Sequence, residues 1–334
     1  MQKKLEKTFK ELFNQKNCFY MVSGTDAFLI SLELMKVKEN DEIIFPISIC
    51  ESLIYRATQL FGIIPVVVDV DENLNLAYED IKNNITSKTK VIIDWHPFGY
   101  AQNIDLMKLL GSQLKEQIYI IEDCAQALGC TINGNFVGNV GDISIFSFGK
   151  NKPIDCGRGG MISINNSSLI NYDILFKHQN KIIKEDFFLI NKKIENYKSI
   201  INIKQNNVIA FCNEIEQNKI LEKHDDFKTN NVYNRFIARS TTYNDYSRLL
   251  KLEKYLKMNN ISIFQPLYNM DEFFKNYLNY YYVKKNRKDL IFDTRRYSKW
   301  ETFKNSYMLF RTDTSVDMHM IKSTIRCINK FYEV

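Results

Sequence analysis

Apolar runs of four or five residues recur between residues 18 and 164, most of them followed by a stretch whose apolar positions return every three to four residues. A first helix is expected over 3–14, where Leu5, Phe9, Leu12 and Phe13 share one face. Strand-like runs follow at 18–22, 42–46, 65–69, 91–94, 118–121 and 161–164. Helical periodicity fills the intervals 27–37, 50–61, 78–84 and 104–110. Short apolar strands separated by helices predict an α/β fold with a mainly parallel central sheet and helices on both faces. In such sheets ligands sit beyond the carboxyl ends of the strands. Ser23, Pro46, His96 and Asp123 all fall just past expected strand ends, which points to one shared site.

Beyond Ile164 the alternation fades. Helices are expected at 171–182, 192–201 and 207–223, then at 243–258 and 316–331, with strands at 261–264 and 307–310. The aromatic-rich run 273–283 reads as core or interface. This second part predicts a smaller C-terminal α+β domain, with a large domain over 1–228 and the small one over 229–334. A chain of 334 residues is long enough for two such lobes.

Composition changes this picture little. Apolar residues make up 45% and charged residues 25%, as in ordinary globular chains. The densest basic stretch, 271–299, lies in a chain of net charge +6 and carries no nucleic-acid module. No nucleic-acid partner is expected, although a mildly positive protein still attracts a nucleotide diphosphate. The seven cysteines are odd in number and form no CxxC pair, which suits reduced thiols and a cytoplasmic setting. The first residues lack a continuous apolar h-region, and no run approaches 18 apolar residues, so neither a leader nor a membrane span is expected. The four histidines show no metal-ligand spacing, and no metal is expected.

The chemistry concentrates between residues 118 and 164. The expected strand 118–121 delivers Asp123 at its end, and Gln126 follows. Ser147 and Phe148 come next, then Lys150 and Lys152 in a loop that Gly157, Gly159 and Gly160 close. An acid, a hydroxyl and an amine grouped this way suit one small, charged, planar molecule. Upstream, Ser23-Gly24-Thr25 joins a strand to a helix, the arrangement that offers free backbone N–H groups to an anion, or else a plain helix cap.

The order Glu122-Asp123-Cys124-Ala125-Gln126, Gly141-Asp142, Phe146-Ser147-Phe148, Lys152, Gly159-Gly160 resembles the core of the DegT/DnrJ/EryC1/StrS family of pyridoxal-phosphate (PLP) aminotransferases. That resemblance covers roughly residues 20 to 165 and implies the fold type I, aspartate aminotransferase-like architecture. It further implies that Lys152 holds the PLP aldehyde as a Schiff base, with Lys150 the competing amine. Asp123 is implied at the pyridine nitrogen, Gln126 at the ring hydroxyl, and Gly24, Thr25 and Ser147 at the phosphate. Cys50 stands where relatives carry an aromatic stacked on the ring, so either Cys50 or a nearby aromatic takes that role. An asparagine reaching the partner subunit's phosphate is implied, with Asn206 or Asn207 as candidates. His96, in a turn similar to the family's H-x-Y-G, is a candidate substrate contact or a loop histidine. Arg158 is a candidate for a substrate phosphate, and Arg311 for the carboxylate of the amino donor. The implied activity moves an amino group from glutamate or a similar donor to a keto sugar, probably nucleotide-linked, in a homodimer. The alternatives are a small non-nucleotide ketone as acceptor, or a PLP-fold relative without catalysis.

Overall fold

The computed structural model describes residues 1–101, 118–179, 184–216, 218–224, 228, 230–242, 244–267 and 269–333. The large lobe is built on a seven-stranded sheet. Its strands are β1 (Asn17–Met21), β2 (Glu42–Pro46), β3 (Ile64–Val68), β4 (Thr89–Trp95), β5 (Tyr119–Asp123), β8 (Ile143–Ser147) and β9 (Gly160–Ile164), with the small hairpin β6 (Thr131–Ile132) and β7 (Asn135–Phe136) beside it. The spatial order is β1-β9-β8-β5-β4-β2-β3. The pairs linking β3, β2, β4, β5 and β8 are parallel, while β9 pairs antiparallel with both β8 and β1. Strands β2, β5, β8 and β9, and the edge strand β3, are buried along their whole length, as expected of a sheet covered on both faces. No helix among the described residues is long and apolar enough to cross a membrane.

The first helices fall where the periodicity predicts. α1 (Gln2–Leu12) buries Leu5 and Phe9. Phe9 meets the rings of Phe146 and Phe148 at centroid distances of 5.0 and 6.1 Å, flanking Ser147 in sequence. Burying a side chain of this size is worth roughly 1.5–3 kcal/mol, so α1 braces the strand end that carries Ser147. α2 (Gly24–Leu34) follows β1 directly, and α3 (Glu51–Phe61) follows β2. The helix expected over 104–110 lies outside the described residues.

Two later expectations need correction. The helices placed at 192–201 and 207–223 are instead Lys184–Glu195 and one helix, Tyr197–Ile215. Ile201, Lys204, Val208, Phe211 and Ile215 are all buried on that second helix, so a single apolar stripe runs through the expected gap. Residues Leu221–Lys223 form strand β10, not a helix end. β10 pairs with β11 (Arg235–Ser240), which joins β13 (Tyr307–Arg311) and β12 (Phe264–Pro266) in a four-stranded antiparallel sheet ordered β10-β11-β13-β12. The run 273–283, read as core or interface, is helical. It comprises Asp271–Phe273, a π-helical turn Phe274–Leu278, and Asn279–Lys284. It docks on the large lobe through the Tyr281 and Tyr282 hydroxyls, which donate to the carbonyls of Ile63 (2.8 Å) and Pro65 (2.9 Å).

Candidate active site

The site lies where β1, β2, β4, β5 and β8 end. A cavity of about 180 Å³ is lined by Gly24, Thr25, Cys50, Ser52, Leu53, Trp95, Asp123, Ala125, Gln126, Ile145, Ser147 and Lys152. Seven residues named from sequence, scattered over 129 positions, therefore share one lining: Gly24, Thr25, Cys50, Asp123, Gln126, Ser147 and Lys152.

One wall is the start of α2. Ser23 caps it by accepting from the Asp26 N–H (3.1 Å) and donating to Asp26 Oδ2 (2.8 Å), which leaves the first helical N–H groups directed at the cavity. Two glycines make this wall possible. A Cβ on Gly24 would lie 2.8 Å from Ser147 Cβ, and one on Gly160 would lie 2.5 Å from the carbonyl carbon and oxygen of Ser23. Gly159 bonds back to the Val22 carbonyl at 3.0 Å. The Gly159-Gly160 pair is thus what lets β9 start against the turn that holds α2's first N–H groups. Gly160→Ala is expected to force that turn apart, lowering stability by about 1–3 kcal/mol and weakening retention of an anion at the helix start. A thermal melt with and without inorganic phosphate checks both effects.

Asp123 is the last residue of β5 and is buried. Its Oδ1 accepts from the Ala125 N–H at 2.9 Å, and Oδ2 has no hydrogen-bond partner among the described residues. Burial drives its pKa up, against the Ala125 bond and the charges of Lys152 and His96. Lys152 sits in the loop between β8 and β9, half-buried, whereas Lys150 is exposed and does not line the cavity. Burial lowers the Lys152 pKa, opposed by the charges of Asp123 and Cys50 and reinforced by Arg235. Its Nζ makes no hydrogen bond or ion pair among the described residues. Asp155 ties the loop down by accepting from the Asn151 N–H (2.8 Å) and the Gly157 N–H (2.9 Å). Gln126 accepts from the Phe98 N–H at 3.1 Å through Oε1, so a backbone donor fixes which end of the amide is oxygen.

Three expected substrate contacts fall elsewhere. His96 is buried, with Nε2 3.0 Å from Glu122 Oε1. Strand register supplies the reason. β4 pairs with β5 so that Trp95 faces Asp123 and Asp94 faces Glu122. Alternation puts Trp95 on the cavity side with Asp123 and carries His96 to the opposite side with Asp94 and Glu122. Arg158 is an exposed loop residue outside the cavity lining. Arg311 grips its own neighbour, with Nε and an Nη 2.8 and 3.0 Å from the Asp313 carboxylate, so the fork expected for a donor carboxylate is filled internally. Asn207, a candidate for the partner's phosphate, donates instead to the carbonyls of Thr312, Asp313 and Val316. Sequence reasoning missed Trp95 and Arg235. Counting alternate residues back from Asp123 across the paired strands would have found Trp95. Arg235 had no signal before β11 was known.

Behind the site, Glu122 accepts from the backbone N–H groups of Gly138 (2.6 Å), Val140 (3.0 Å) and Gly141 (3.1 Å) as well as bonding His96. Burial alone would raise its pKa. The His96 bond and charge and these N–H groups outweigh burial and hold it down at about 2. A carboxyl depressed in the folded state contributes stability above its unfolded pKa and loses it as pH falls toward the folded value. Wild-type stability is therefore expected to drop between about pH 4.5 and 2, by roughly 3 kcal/mol from this group. Glu122→Gln sets an amide NH₂ against N–H donors. Its variant should be less stable at pH 7 and should lack that acid limb in urea titrations.

The mixed sheet, with an acid closing β5 and an amine in the loop that leaves the adjacent strand β8, has the fold of type I PLP transferases. The crystal structure of the aminotransferase TlmJ from Streptoalloteichus hindustanus superposes with a TM-score of 0.82 at 15% identity, covering 99% of this chain and 90% of that one. An E. coli GDP-4-keto-6-deoxy-D-mannose-3-dehydratase with bound hydrated PLP gives 0.77 at 19% identity, covering 97% and 90%. The chain belongs to the DegT/DnrJ/EryC1/StrS aminotransferase family, whose model matches residues 1–261. It is 30% identical over 207 residues to a GDP-perosamine synthase of Vibrio cholerae, covering 60% of this chain and 56% of that protein. It is 38% identical over 146 residues to a UDP-N-acetyl-3-dehydro-alpha-D-glucosamine 3-aminotransferase of Acidithiobacillus ferrooxidans, covering 42% and 38%. The chain thus spans about half the length of the curated relatives it matches, or less.

Proposed function

We infer that this protein is a PLP-dependent aminotransferase that moves an amino group from glutamate or a similar donor to a nucleotide-linked keto sugar. The observation that carries the reading is that Lys152 and Asp123 line one cavity with the start of α2, and that neither Nζ nor Oδ2 is bonded among the described residues. These residues fit the cofactor. A buried carboxyl raised by desolvation gains most from a cationic N–H set against it. An N-terminal helix turn opened by Gly24 and Gly160 suits a phosphate. When bound, PLP supplies the electron sink that lets an amino group leave one carbon skeleton and join another.

The chain's own residues do the rest. Lys152 Nζ, its pKa lowered by burial, would take and return the proton on the donor's Cα. Asp123 Oδ2 would accept from the protonated ring nitrogen and hold that proton in place. The N–H groups of Gly24 and Thr25, with Ser147 Oγ, would hold the phosphate. Gln126 would meet the ring hydroxyl, and Trp95 and Cys50, which line the same cavity, would pack against the ring. Lys152 also separates this reading from dehydration, for which similar enzymes place histidine at the lysine position. We place the protein in the cytoplasm as a homodimer, with the two lobes dividing at 228/229 apart from strand β10, which joins the small lobe's sheet. Adding glutamate to PLP-loaded protein should convert the bound cofactor to its amine form, read as a loss of near-visible absorbance. Unchanged spectra with glutamate and related amino acids would overturn the proposal.

A further inference from the structure

A cavity of about 360 Å³ shares no described lining residue with the candidate active site. Its volume falls within the usual span of small-molecule pockets, about 300–1,000 Å³. Four segments form it: the turn after β3, the loop after β4, the tip of the β6–β7 hairpin, and the connection from β10 to β11.

Five asparagines line it: Asn73, Asn75, Asn133, Asn230 and Asn231. Three of their amides have partners that fix which end is oxygen and which is nitrogen. Asn231 is buried, with 3% exposure, and its Oδ1 accepts from the Ala101 N–H at 2.9 Å. Its Nδ2 has no hydrogen-bond partner among the described residues. A buried amide with an unused donor at a cavity wall has only the cavity's contents to give it to. Asn75 donates through Nδ2 to Asp71 Oδ2 (2.8 Å), and Asn230 donates through Nδ2 to the Thr131 carbonyl (3.0 Å). Each keeps an Oδ1 acceptor unused among the described residues. Asn73 and Asn133 are exposed, with side chains that make no hydrogen bond among the described residues.

Tyr100 and His224 supply an aromatic wall, meeting edge to face with centroids 6.0 Å apart. The Tyr100 hydroxyl accepts from the Ile237 N–H (3.2 Å), and the His224 ring packs on Phe303 (5.9 Å) and Tyr307 (5.4 Å). The wall is thus held before anything binds, which lowers the ordering cost of binding. A fixed donor beside two fixed acceptors matches hydroxyl groups, each of which both donates and accepts. The same two acceptors disfavour a phosphate, whose oxygens accept. Amides next to a ring wall suit a molecule with hydroxyl edges and a C–H face, and a sugar ring has both.

We propose that this cavity is a second ligand site, for an uncharged sugar unit held by Asn231, Asn75 and Asn230 against the Tyr100–His224 wall. The site stands apart from the aminotransferase reading. It uses neither Lys152 nor Asp123, and it recognises hydroxyl groups rather than a reacting carbonyl.

The test is saturation-transfer NMR on the full chain, with D-mannose and N-acetyl-D-glucosamine as probes and glycerol as the open-chain control. At least one of the two sugars is expected to bind with a Kd of about 1–10 mM, as a few net hydrogen bonds provide, and glycerol at least about tenfold more weakly. Asn73→Trp puts a large ring at the cavity's exposed edge and should abolish the signal. Asn133→Gly removes an amide where φ is +50°, which glycine adopts freely, and should weaken binding about three- to tenfold. Both positions are exposed, so both variants should fold, and circular dichroism checks this. Lys152→Ala should bind the sugar as wild type does. Transfer to neither sugar, glycerol binding equally well, displacement of the sugar by millimolar inorganic phosphate, or unchanged binding in either folded asparagine variant would overturn the proposal. So would loss of the signal in Lys152→Ala, which would put the sugar in the active site instead.

Discussion

Lys152→Ala is expected to lower the rate of the glutamate half-reaction by about 10²–10⁴-fold, the range over which a positioned acid–base group contributes, while leaving the fold intact. The second expectation follows from the loop. Asp155 accepts from Asn151 and Gly157 with its own side chain, and Cys156 donates to the Phe148 carbonyl at 2.8 Å, so the loop keeps its shape without the lysine. The first follows from placement. Lys152 is the cavity's lining amine, and Lys150 is exposed and cannot replace it without reversing the turn at Asn151, whose φ is +65°. The loss should therefore fall on the chemical step. A small soluble amine such as methylamine should restore part of the rate, and its dependence on pH should follow the added amine's own pKa. Unfolding of the variant, or a rate within tenfold of wild type, would contradict this.

Asp123→Asn is expected to weaken both cofactor retention and turnover. Hydrogen bonds to charged groups contribute about 1.5–3 kcal/mol, so a loss of roughly 10- to 100-fold in each is anticipated. The amide keeps the acceptor for the Ala125 N–H, so the backbone at the end of β5 should not move. What disappears is the negative charge. That charge is also one of those resisting the fall of the Lys152 pKa. Removing it should move the pH at which the lysine turns neutral further down, so the alkaline-going limb of the donor rate should shift to lower pH. Dialysis of PLP-loaded protein and stopped-flow pH profiles would read the two effects separately. A variant with unchanged affinity and an unshifted profile would place Asp123 outside the reaction.

Much of the large lobe was legible in the sequence because its strands are buried on both faces. Runs such as Ile43-Ile44-Phe45 and Ile118-Tyr119-Ile120-Ile121 have no polar residue to confuse the pattern, whereas β8, Ile143–Ser147, interrupted by Ser144, is absent from the expected strands. The parts that failed depend on which way a side chain turns. His96 and Trp95 are adjacent, and the strand's two-residue period assigned the cavity to one and the interior to the other. The sequence order alone carried no phase until β4 was paired with β5. The helix Tyr197–Ile215 hid because its buried stripe includes Lys204, a charge that reads as surface. The π-helical turn at Phe274–Leu278 has no periodicity of its own, and its aromatics satisfied a core reading equally well. The Gly159-Gly160 pair could be seen, but its reason, the approach of Gly160 to the Ser23 carbonyl, is a contact across 137 positions.

The most direct test of the central claim is to load the protein with PLP, reduce it with borohydride, digest it and map the modified peptide. The account predicts one stable label, on Lys152 and lost in Lys152→Ala. A label on Lys150 or any other lysine, or no label at all, would contradict it.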